Sequence, residues 1–287
     1  MPDNIEFYFI FLGQILLISF YFPRKILSRI RYVVETYPPS EYPKLYPKSI
    51  EYYEKAQRNY KTVNQFIFVA GFILMFAFGL WGYPTEGKIA RLIPVVFGLI
   101  QVLPLIGMEI SEFNQFKLMR KADLRTTRMA ELRPRRLFDF VSPAIFSMAI
   151  VMYIAFILLD LYWHQFNIDW GHDTVQRAMV ITAGNLFFAL IIIWNLYGKT
   201  LNPHQAYKDR TKQIGLAVKS LVFLSIAMSV FFMTTAAGDA FDLDSFEPSI
   251  ASLYFQLIVW ISLGTMLRTL RVDDINFEVY KEDVSVT

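Results

Sequence analysis

The 287-residue chain is 55% apolar and 17% aromatic, with a mean hydropathy of +0.36. That is too apolar for a water-soluble domain of this size, so lipid is the expected solvent. A net charge of +3 and a pI near 8.9 would suit an acidic partner. The basic residues, however, fall in short segments beside apolar stretches, which is the pattern of a membrane orientation signal and excludes nucleic acid as the partner. The absence of cysteine removes disulfides, thiolate metal sites, iron–sulfur clusters and cysteine nucleophiles together.

Seven stretches are long and apolar enough to cross about 30 Å of hydrocarbon as helices. The first, Ile5 to Phe22, opens with Asp3 and Glu6 and is followed by no small-residue cleavage site, so it reads as an uncleaved anchor. A basic segment follows, with Arg24, Lys25, Arg29, Arg31, Lys44, Lys48, Lys55, Arg58 and Lys61. Its Tyr/Pro-rich part, Tyr37 to Pro47, cannot be regular helix, whereas Pro47 to Lys61 predicts a polar, amphipathic lead-in to the second span, Val63 to Tyr83.

The third span, Arg91 to Ile110, is the most irregular, with Pro94, Gly98, Pro104 and Gly107 around Gln101. Each proline removes a backbone donor and leaves a carbonyl open to a side chain, a water or a solute. Glu109 and Glu112, three apart at its end, share a helical face and suit an ion pair with Lys219 or a loop arginine. The basic segment from Phe113 to Leu132 reads as a helix lying on the anionic inner leaflet.

Spans four and five, Val141 to Trp163 and Val175 to Tyr197, flank a polar cluster. Asp160 and His164 are four apart and so share a face if the helix continues, and Asp169, His172 and Asp173 follow in the short loop. Imidazoles and carboxylates are ligands for Zn²⁺ or Mn²⁺ and also relay protons. Asp160, His164, His172 and Asp173 are therefore the candidate metal ligands, although no recognised ligand spacing is matched and no cofactor is firmly implied. Asn185 lies deeper in span five.

Span six, Ile214 to Ala237, carries Lys219 about one turn in, where it can snorkel to the interface or serve as a counter-ion. An acidic loop, Gly238 to Ser249, leads to span seven, Ile250 to Leu270, with Gln256 at mid-depth. Gln101, Asn185 and Gln256 either knit helices together or line a solute path. Span seven has no lysine for a retinal Schiff base, no histidine lies at mid-membrane for haem, and P-loop, HExxH and GxSxG motifs are absent, so catalysis has little support.

Sorting the loops by Lys and Arg settles the expected orientation. The segments 23–62, 111–140, 198–213 and 271–287 are basic, whereas the other side holds only Lys88, Arg91 and Arg177. The expected fold is therefore an all-α, polytopic seven-transmembrane-helix bundle of one domain, N-terminus outside and C-terminus cytoplasmic, in a bacterial inner membrane. Its expected partners are the bilayer and anionic inner-leaflet lipids, with a homo-oligomer or protein partner also open. Small-solute or ion transport is the leading functional expectation. A sensor or assembly subunit working through the basic segments, and a metal-dependent enzyme at the outer rim, are the alternatives.

Overall fold

The computed structural model describes residues 5–81, 83, 88–123, 135–166, 168–169, 173–198 and 202–282. Among these there is no strand, and seven helices are long and apolar enough to span a bilayer, which makes the chain a multi-pass membrane protein. We number them α1 (Ile5–Thr36), α2 (Ile50–Trp81), α3 (Lys88–Ala122), α4 (Pro143–Trp163), α5 (Asp173–Tyr197), α6 (Tyr207–Ala240) and α7 (Glu247–Thr269).

Several helices outrun their apolar stretches. α1 continues through Pro23 to Thr36, because the turns before the proline widen into a π-helix, Ile15–Tyr21. A proline ring collides with the carbonyl four residues back, here that of Ser19, and the wider turn relieves the clash. α7 holds a second π segment, Trp260–Gly264. α3 stays helical through Pro94 and Pro104 and runs on to Ala122. The expected separate surface helix from Phe113 is thus, as far as it is described, the continuation of span three, and residues 124–134 lie outside the described residues. α4 starts sharply, with the Ser142 hydroxyl accepting from the Ile145 amide at 3.3 Å and Pro143 in the first turn, where its missing N–H costs nothing.

The helices form two groups that meet along α6 and α7. In one, Phe7, Phe11 and Ile15 of α1 pack with Ile67 and Phe78 of α2, Tyr83 and Phe97 of α3. α7 closes against α3 because Gly98 has no side chain: a Cβ there would fall 2.6 Å from the Phe255 ring. In the other, Phe156 of α4, Ile181 of α5 and Met228 and Ala236 of α6 make a second core. At the joint, Phe231 of α6 stacks on Tyr254 of α7 at 4.3 Å and the Ser220 hydroxyl donates to the Ile261 carbonyl at 3.5 Å.

At one end of the bundle the residues after α7 fold back over the helix termini, and we call this the tail end. Phe277 stacks on Tyr37 at 3.9 Å, and Tyr42, Val272, Phe277 and Tyr280 bury one another in a small core. The tail also ties the two helix groups together. Tyr32 of α1 donates to Asp273 at 2.8 Å, while the Asn276 amide donates to Asp209 of α6 at 2.9 Å and Asn202 donates to the Tyr280 hydroxyl at 2.7 Å. Burial pushes the Tyr280 phenol up to about 12, and the nearby Asp209 and Glu112 carboxylates add to the effect, so it stays neutral and hydrogen-bonded. The Phe277→Ala substitution removes the stacked ring from this core and should cost the tail about 3 kcal/mol. Amide hydrogen exchange over residues 270–282 should accelerate about a hundredfold while the helices keep their protection.

Candidate functional site

The polar residues inside the spans sort into two separate clusters. The first surrounds the π segment of α1. Gln14 is fully buried and Gln101 of α3 is 1% exposed. The Gln14 amide donates to Gln101 Oε1 at 2.9 Å and to the Pro94 carbonyl at 3.4 Å. Gln101 in turn donates to the Ser19 hydroxyl at 2.8 Å and to the Gln14 carbonyl at 3.4 Å. That carbonyl sits where α-helix gives way to π-helix, so the side chain of α3 caps a backbone irregularity of α1. Gln256 of α7 donates to the Ile10 carbonyl at 3.0 Å, which adds a third helix to the same seam.

Asn185 lies in the other group of helices, where the Ser225 hydroxyl of α6 donates to its Oδ1 at 2.6 Å. One turn away, Tyr153 and Thr182 share a hydrogen bond of 2.7 Å between α4 and α5. The three mid-depth amides therefore do not converge. Each hydrogen-bonds to a neighbouring helix, although the Asn185 Nδ2 and the Gln14 Oε1 are buried with no partner among the described residues. Substituting Gln101 by Leu strands the Gln14 amide and the Ser19 hydroxyl and should cost about 1–3 kcal/mol. Adding Gln14→Leu removes the stranded partner, so the double variant should melt above the single one in a detergent thermal-shift assay.

The second cluster is ionic and lies at the end opposite the tail. Asp160 of α4 is 1% exposed and receives two bonds from Arg177 of α5, Nη2 to Oδ1 at 2.8 Å and Nε to Oδ2 at 3.5 Å. The same guanidinium reaches Asp239 of α6 through Nη1. His164 caps α4, with Nδ1 at 2.9 Å from the Asp160 carbonyl and 3.2 Å from its carboxylate, and Nε2 at 3.4 Å from Arg177. A fork-shaped guanidinium suits such a shared, half-buried position better than an ammonium would.

The candidate ligands divide between this cluster and the residues beyond it. The cation on Asp160 is Arg177, and no group of three metal-ligating side chains occurs among the described residues. Asp173 opens α5 with its side chain exposed, and His172 lies outside the described residues. Arg177, Asp239 and Gln14 were missed as site residues by sequence reasoning. Arg177 was legible as an arginine three residues inside a predicted span, and Gln14 as an amide in an apolar run. Nothing local marks Asp239 as their partner, since it belongs to an acidic loop. Glu109, Glu112 and Lys219 all lie on exposed faces, and no ion pair joins them among the described residues, because α3 and α6 sit in different helix groups. Comparison with known protein families, curated proteins and solved structures finds no match.

Removing Arg177 leaves Asp160 buried without its counter-charge. Arg177→Met should therefore destabilise the protein by about 3–5 kcal/mol, and pairing it with Asp160→Asn should recover a substantial part of that loss. A double-mutant cycle on thermal unfolding in one detergent measures the coupling.

Proposed function

We propose that this chain is a membrane-embedded sensor or assembly subunit of a bacterial cytoplasmic membrane, working through its tail end, and that this end faces the cytoplasm. The orientation follows from charge. The tail-end segments carry most of the Lys and Arg, and of the three basic residues expected on the other side, Arg177 is neutralised by Asp160 and Asp239.

The observation that carries the reading is the separation of Asn185 from Gln101 and Gln256, which share the seam on α1. A solute path needs polar groups gathered around one space. These amides instead hydrogen-bond to helices in two different groups. At the tail end, by contrast, two segments more than two hundred residues apart in sequence build one aromatic core, with Tyr37 and Tyr42 against Phe277 and Tyr280. The exposed residues that this core holds in place at the helix ends, among them Glu41, Arg271 and Glu278, form a surface for a protein partner.

Transport is the second reading, and the ionic cluster favours it. Ionisable groups buried in a span are expensive and often mark an ion or proton path. Two measurements separate the readings. A photo-crosslinking amino acid at the exposed Glu41, beside this core, should give a discrete protein adduct in cells that is lost with Phe277→Ala. The purified chain in proteoliposomes should show no solute or proton flux above empty liposomes. Flux without an adduct would reverse the order of the two readings.

A further inference from the structure

A seam with pinned ends runs between α1 and the end of α7. At its membrane end Phe22 meets Trp260 edge-on, ring centres 6.3 Å apart, and a side chain added at Gly264 would lie 3.5 Å from Phe22. At its far end Tyr32 holds Asp273. The helical interval from Phe22 to Tyr32 is about 15 Å long. Within it, Lys25, Arg29 and Tyr32 recur at i, i+4 and i+7 and so share one face of α1. On the other wall Arg268 stands one turn beyond Gly264, and Arg271 stands two residues before Asp273.

Four cations therefore lie along one short seam. Asp273 is held by Tyr32 and Asp274 by Lys212. No ion pair joins Lys25, Arg29, Arg268 or Arg271 to an acid among the described residues. The seam also begins at an aromatic level. Tyr21 is exposed near the end of the first span, with the Lys25 ammonium 5.8 Å from its ring centre, and Trp260 is exposed within α7. Beyond Trp260, towards the bilayer centre, Leu257 and Leu253 continue an exposed apolar row on α7.

We propose that this seam binds an anionic phospholipid, its phosphate among Lys25, Arg29, Arg268 and Arg271 and its acyl chains along Trp260, Leu257 and Leu253. A molecule carrying both an anion and long apolar chains satisfies both halves of the surface, which a soluble phosphate does not. Basic pockets between transmembrane helices take lipid headgroups by this combination of charge-assisted hydrogen bonds and apolar contact. The site is independent of whether the chain scaffolds or transports.

Native mass spectrometry of the full chain in detergent tests it, using phosphatidylglycerol and phosphatidylcholine with identical acyl chains. Phosphatidylglycerol should bind at least about tenfold more tightly. The Arg268→Gln/Arg271→Gln pair should weaken it by about fivefold per cation, about 25-fold in all, while Lys55→Gln/Lys61→Gln on α2 leaves it unchanged. Should the first pair fail to give monodisperse protein, Lys25→Gln/Arg29→Gln applies the same test from the opposite wall. Equal binding of the two lipids, an equal loss in the α2 control, or saturation by glycerol phosphate as readily as by phosphatidylglycerol would overturn the proposal.

Discussion

Hydrocarbon offers a polar group no water, and this constraint orders the whole molecule. Its sharpest expression is Gln101. α1 turns from α-helix to π-helix after Gln14, and a side chain from α3 donates to the Gln14 carbonyl at that junction. The same amide accepts from Gln14 and donates to Ser19, so one residue fixes the register of two helices. The irregularity of α3 around Pro94 belongs to the same arrangement, because the Pro94 carbonyl also accepts from Gln14. Features that look in isolation like the broken helices of a carrier are here the two sides of one helix contact.

The ionic cluster follows the same constraint with charges in place of amides. A carboxylate as buried as Asp160 survives in its charged form only beside a cation. Arg177 is shared between two carboxylates on different helices, and that sharing locks α4, α5 and α6 at one end. The other helix group has its own lock in the Gln14–Gln101 seam. The two groups are joined through the α6–α7 contact and the tail.

The tail explains why the Tyr/Pro-rich segment exists. Prolines keep residues 37–47 from joining the helices on either side, and tyrosines give the segment aromatic surface with polar tips. Tyr46 donates to the Tyr37 carbonyl at 2.7 Å, Tyr42 donates to Glu278 at 3.3 Å, and Lys281 lies over the Tyr42 ring. These contacts hold the exposed residues around the core, such as Glu41 and Glu278, in one ordered surface at a helix end.

The sequence by itself determined that the chain is helical, that it spans the bilayer, and roughly where each span lies, because apolar length and flanking charge are local properties that read directly from composition. It also marked Gln101, Asn185, Gln256, Asp160 and His164 as residues needing partners, since a polar group in an apolar run is conspicuous. Only the tertiary structure decided what those partners are. Gln101 and Asn185 ended in different helix groups, Asp160 found Arg177, which it shares with Asp239, and Lys219 did not meet Glu109. Helix neighbours are set by packing choices such as Phe255 against Gly98, summed over contacts between residues far apart in sequence. No periodicity within one helix records which other helix will lie beside it.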